Sequence, residues 1–175
     1  EVSADVSVSH WQDSSGRSLP SPGAQAALLP DGSLLLRHVT AGRAQGAGYS
    51  CVTRHLLTGR SVRSSPGRVL VAPGGEVAPS MVLPRGRLQT VTARRGEGVT
   101  LVCVGQGTPP PSVSWHRLGA AGEEPVVLGP GRQVQGELLL LTAGLEAAGS
   151  YLCRVSSRLG EVSSTWVLKV EEELG

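Results

Sequence analysis

This sequence of 175 residues contains no Phe, no Ile and no Asn, and it has one Met and one Lys, Lys169. Each absence narrows the reading. Without Asn, no N-linked glycan can be attached anywhere along the chain. Without Phe and Ile, a core has to be built from Val, Leu and Ala around a few large rings, chiefly Trp11, Tyr49, Trp115 and Tyr151. The missing types share AT-rich codons, so the bias is read as that of a GC-rich gene and not as function. No apolar run approaches the roughly 18–20 residues a membrane-spanning helix requires, so membrane attachment is expected only through parts outside this sequence. Excess charge is slight: 16 Lys and Arg against 14 Asp and Glu leave +2. With aromatics at 3%, that excludes a nucleic-acid reader, which concentrates positive charge and interleaves it with stacking rings. A convincing amphipathic helical period is missing as well. Short Val- and Leu-rich runs alternate with Gly, Pro and Ser turns, which is the pattern of an all-β chain.

Against these absences stands one ordered constellation in the second half. Cys103 is followed by Trp115 and then by Tyr151-Leu152-Cys153. That order is the signature of an immunoglobulin sandwich, in which a strand B cysteine bonds one on strand F and the strand C tryptophan packs on the bridge. The tyrosine two residues before the second cysteine turns the E–F corner. Around these residues the strands are expected as A′ at 88–92, B at 99–104, C through Val113 and Trp115, E at 137–142, F at 151–156 and G at 162–170. Pro109-Pro110-Pro111 cannot donate to a ladder and must connect B to C.

The first half repeats the second. Tyr49-Ser50-Cys51 echoes Tyr151-Leu152-Cys153, and Trp11 precedes Cys51 by 40 positions where Trp115 precedes Cys153 by 38. The period is near 100 residues. The first copy reads as strand C from Val6, strand F at 48–55, a turn at Leu57-Thr58-Gly59 and strand G at 60–71. Three cysteines then divide into one bridge and one remainder. Cys51 is expected to be unpaired here, its partner lying with strands A and B upstream of Glu1. The expected organisation is tandem immunoglobulin-like sandwiches, the first truncated at its N-terminus: residues 1–72 as strands C to G, 73–79 as linker, and 80–171 as a complete domain.

Some of these residues resemble the early immunoglobulin domains of the Down syndrome cell adhesion molecule (Dscam) family. Asp5-Val6-Ser7-Val8-Ser9-His10-Trp11 is similar to that family's strand C, and Leu29-Pro30-Asp31-Gly32-Ser33-Leu34 to its turn before strand E. Tyr49-Ser50-Cys51-Val52-Thr53-Arg54-His55-Leu56-Leu57-Thr58-Gly59 resembles its strand F and F–G tip, the most specific of the three matches. The second copy looks like an I-set domain, the type that follows in this family. Departures are evident in both copies: in the second, the I-set aspartate that pairs with an arginine near strand D is replaced by Ala147, although Arg132 and Gly149 are in place, and in the first Gln45 and Gln25 occupy the equivalent positions. Losing one side of a buried pair strands the other charge, so Arg132 is expected to destabilise the domain unless it reaches solvent or Glu146.

The resemblance implies an extracellular, cell-surface adhesion receptor fragment that binds copies of itself in cell recognition and neuronal wiring. A ligand-binding segment of another immunoglobulin-superfamily receptor, recognising some other cell-surface protein, and an intracellular I-set spacer are the alternatives. The self-binding face is expected at the A/A′ edge of the second copy, with Leu88 and Val91 as candidate interface residues. Arg85, Arg87, Arg94 and Arg95 read as a modest basic cluster whose plain reading is a solvated face. His10, His38, His55 and His116 are scattered and no carboxylate spacing accompanies them, so neither metal nor cofactor is expected. No nucleophile motif or oxyanion loop supports catalysis. The glycines are turn residues without the strand-to-helix unit a phosphate cradle needs.

Overall fold

Seventeen short strands grow from the alternating Val, Leu and Ser runs in a computed structural model that describes residues 6–21, 25–37, 39, 48–70 and 74–172. The chain divides into two units between Gly74 and Gly75. Among the described residues no helix is long and apolar enough to cross a membrane.

The first unit holds β1 (Val6–Gln12), β2 (Ser18–Leu19), β3 (Ala26–Leu28), β4 (Leu34–Leu36), β5 (Gly48–His55), β6 (Ser61–Arg63) and β7 (Gly67–Arg68). One sheet runs β2-β1-β5-β6, with β7 also on β5, and β3 and β4 make a separate hairpin. These correspond to strands C′, C, F and G, and to D and E. The hairpin turn closes tightly because Gly32 adopts φ +91° with Val8 packed against its Cα. A Cβ there would lie 2.6 Å from a Val8 methyl, so only glycine fits. Trp11 Nε1 donates to Gly32 O at 2.8 Å, tying strand C to the same turn.

The second unit comprises β8 (Val77–Leu83), β9 (Leu88–Arg94), β10 (Gly98–Val102), β11 (Val104–Thr108), β12 (Ser112–Gly119) and β13 (Gly122–Pro125). It continues with β14 (Arg132–Gln135), β15 (Leu138–Thr142), β16 (Gly149–Ser157) and β17 (Gly160–Glu171). One layer is the sheet β13-β12-β16-β17-β9, which is C′-C-F-G-A′. In the other, β10 pairs β15 and β15 pairs β14, while β11 pairs β8. β10 and β11 are one strand B, interrupted only at Cys103, so this layer reads A-B-E-D. The antiparallel ladders are those of hairpins and meanders, whereas A′ joins G in parallel, Leu88 opposite Thr165.

The core lies between these layers. Leu101, Leu139, Val155, Leu168 and Tyr151 are essentially inaccessible, and Trp115 is buried against them. Truncating such a leucine to alanine costs about 2–5 kcal/mol, from lost transfer energy and the cavity left behind. Cys103 and Cys153 are bonded, with Cα atoms 6.2 Å apart. Closing that loop stabilises by about 4 kcal/mol in the chain-entropy description. Strand B comes close enough to strand F at Gly105 that a Cβ would collide with Val155.

Several boundaries differ from the sequence reading. Residues 73–79 are not all linker, since strand A begins at Val77 and pairs with β11 as far as Thr108; Pro73 lies outside the described residues. Val77-Ala78-Pro79 escapes a strand reading because Pro79 and the preceding glycines look like turn sequence. Strand C′, Gly122–Pro125, was equally hidden, as it holds two charges and a proline and is fully exposed. Edge strands need no apolar face, so their sequences lack the alternation that reveals central ones.

Candidate interaction surface

The signature residues occupy matching places in the two units. Trp11 stands opposite Cys51 across the C–F ladder of the first unit, and Trp115 stands opposite Cys153 in the second. An identical register at both sites is the structural counterpart of the sequence repeat. The environments differ, however. Trp115, Tyr151, Cys103 and Cys153 are buried, whereas Trp11, Tyr49 and Cys51 are half-buried. Cys51 forms no disulfide. Trp166, not singled out from the sequence, also packs on the core and its Nε1 donates to Val102 O at 3.1 Å. Its even spacing from Val162, Leu168 and Val170 along the last strand was the available signal.

The E–F corner of the second unit answers the missing aspartate. Tyr151 Oη donates to Ala147 O at 2.5 Å. Arg132 Nη2 donates to Glu146 O at 2.9 Å, and Arg117 Nη2 donates to Glu146 O at 2.5 Å and Ala148 O at 3.0 Å. Three consecutive carbonyls therefore take these donors, and Glu146 O accepts from the Arg132 side chain that the absent aspartate would pair with. Arg132 reaches Glu146 through its backbone, so the expected stranded charge does not arise. Arg117 also lies 5.6 Å from the Tyr151 ring centroid, a cation–π distance. Burial pushes the Tyr151 phenol above its ordinary pKa, against the opposing pull of Arg117 and Arg132.

The A′ edge can be built residue by residue. Side chains alternate along β9, so Leu88, Thr90, Thr92 and Arg94 face solvent while Gln89, Val91 and Ala93 turn inward. Leu88 is 66% exposed, and Val91 packs against the core. The two candidate interface residues thus lie on opposite faces of one strand. Three positions is an odd step in a period of two, which corrects the pairing of Val91 with Leu88 as a surface. The basic cluster also dissolves: Arg87 precedes β9 and Arg94 is its last residue, seven steps of about 3.3 Å apart. Ser164 Oγ fixes the start of this edge, donating to Gly86 O at 2.7 Å and lying 3.0 Å from Gln89 Oε1.

The outer face of the C′-C-F-G sheet carries a second feature. Arg154 donates to both Glu123 carboxylate oxygens, at 2.7 and 2.9 Å, and its Nε is 3.5 Å from Glu161. His116 Nδ1 is 3.2 Å from Glu123. The hydrogen bond from Arg154, followed by the charges of Arg154 and His116, holds the Glu123 carboxyl below its ordinary pKa. Arg158 pairs with Glu76, distant in sequence but within the same unit. Among the described residues no three His, Cys, Asp or Glu converge on a point that could hold a metal ion. His10 and His55 instead serve local turns and ladders, His55 Nδ1 accepting from Thr58 N at 3.3 Å; His38 lies outside the described residues.

Comparison with known proteins agrees with this architecture. The family profile described as "Immunoglobulin domain" matches residues 89–165. "Cell adhesion molecule Dscam2" of Drosophila melanogaster is 34% identical over 145 residues, 82% of this chain and 7% of its own length. "Hemicentin-2" of Mus musculus is 30% identical over 154 residues, 85% of this chain and 3% of its own. The structure described as "Crystal structure of Dscam1 isoform 6.9, N-terminal four Ig domains" matches with a TM-score of 0.73 at 32% identity, over 95% of this chain and 44% of that one. The chain thus spans less than a tenth of the length of these curated relatives. With its paired strands, Trp–Cys registers and core disulfide, the chain belongs to the immunoglobulin superfamily as a homologue of the N-terminal domains of Dscam proteins.

Proposed function

We propose that this chain is an extracellular segment of a homophilic cell-adhesion receptor of the Dscam type, acting at the cell surface in cell–cell recognition and neuronal wiring. The observation that carries the reading is the similarity to an adhesion molecule along 82% of the chain, beside the Thr53-Arg54-His55 and Thr58-Gly59 resemblance read from the sequence of the first unit. The disulfide fits an oxidising, extracellular setting, which argues against an intracellular spacer. No catalytic role is proposed.

Self-association would use the A/A′ edge of the second unit. β9 is bonded to β17 on one side and ends the sheet on the other, leaving N–H and C=O groups for an antiparallel copy about a two-fold axis. Leu88 supplies exposed apolar area beside that edge. Beads coated with this chain are expected to aggregate, and Leu88→Asp to suppress the aggregation. Absence of aggregation by the unsubstituted chain overturns homophilic function; aggregation unaffected by Leu88→Asp moves the interface elsewhere. A second reading, recognition of a different extracellular protein, is favoured by the comparable similarity to hemicentin-2. It predicts monomeric chain and non-aggregating beads.

A further inference from the structure

The F–G hairpin of the first unit is a basic surface that lies outside the proposed adhesive edge of the second unit. Residues 48–70 contain four arginines, Arg54, Arg60, Arg63 and Arg68, and no Asp or Glu. All four are exposed, and among the described residues none is ion-paired. The ladder fixes which way three of them point. Arg63 stands opposite Val52 and Arg68 opposite Gly48. Residues paired across a ladder share a face, and Gly48, Val52 and Arg54 are separated by even steps along β5. Arg54, Arg63 and Arg68 therefore line one face in a row, with spacings of about 7 and 13 Å at ~3.3 Å per residue.

We propose that this row binds a linear sulfated polysaccharide, each guanidinium taking a sulfate through paired N–H donors. Arginine suits such oxyanions because its fork is planar, permanently charged and weakly hydrated. A row about 20 Å long fits an extended chain carrying repeated anions better than one compact acidic ligand. Single-stranded nucleic acid offers the same charges but needs rings to stack its bases. The hairpin has one aromatic residue, Tyr49, and it is half-buried. Exposed Leu56 and Leu57 sit at the hairpin tip, 62% and 80% accessible, beyond the end of the arginine row.

The test is binding of the whole 175-residue chain to immobilised heparin across a salt series. The expected result is salt-sensitive retention that R54Q/R63Q/R68Q weakens at least tenfold. The slope of log Kd against log salt should fall by about one per arginine removed, as for other polyanions. R54K/R63K/R68K, which keeps the charge but not the paired donors, should bind more tightly than the glutamine triple and more weakly than the unsubstituted chain, showing that the face itself is intact. R85Q/R94Q/R95Q removes equal charge from the second unit and should retain binding. Equal loss in both glutamine variants, or retention unchanged by the hairpin triple, overturns the proposal. So does binding to phosphatidylserine vesicles, lost on L56D/L57D, in place of heparin. Bead aggregation is read separately, so failure here leaves the adhesion reading untouched.

Discussion

Tyr151 concentrates more of the second unit's chemistry than any other single residue. Its ring fills the core, its hydroxyl holds the E–F corner, and its face receives Arg117. Tyr151→Phe keeps the ring but leaves the buried Ala147 carbonyl short of a donor. The expected cost is about 1–3 kcal/mol by urea unfolding, with the fold preserved. Glu123 offers a second residue-scale test. Its folded pKa is depressed, so whatever stability the Arg154 pair gives is present above the ordinary carboxyl range and lost as pH falls through the lower folded value. Carboxyl NMR titration should find Glu123 below that range, and Arg154→Gln should bring it back up. A normal Glu123 titration in the unsubstituted chain would show the pair is not formed in solution.

Among the elements, β9 separates packing from recognition. Val91→Asp places a carboxylate against the core and is expected to unfold the second unit or destabilise it by several kcal/mol. Leu88→Asp lies on the solvent face of the same strand, so thermal unfolding should shift within about 0.5 kcal/mol of unsubstituted stability. Comparable destabilisation by both changes would mean that β9 does not hold the register with β17 described above.

Across the whole molecule, the two units differ in what closes them. The second has its disulfide between sheets; the first has Cys51 half-buried without one. Alkylation of native chain without reductant is expected to label Cys51 alone, since a disulfide offers no thiolate. Replacing Cys103 and Cys153 together by Ala should cost about 2–5 kcal/mol, read as a loss in the second unit's unfolding transition. Labelling of Cys103 or Cys153 in native protein would contradict the bridge.

The sequence alone determined the repeat, the second unit's disulfide and tyrosine corner, and most central strands. Cys103, Trp115, Tyr151 and Cys153 occur in an order that only a sandwich satisfies economically, and central strands bury one face, which writes a period of two into the chain. It also held the opposite orientation of Leu88 and Val91, legible from their odd spacing. Tertiary structure decided the rest. Strands A and C′ are edges whose backbone pairing leaves little mark on side-chain pattern. That Arg117 and Arg132 meet the Glu146 and Ala148 carbonyls depends on three segments converging at one corner. Likewise Arg54, Arg63 and Arg68 become a single row only through the F–G register, because residues distant along the chain share a face only when a ladder aligns them.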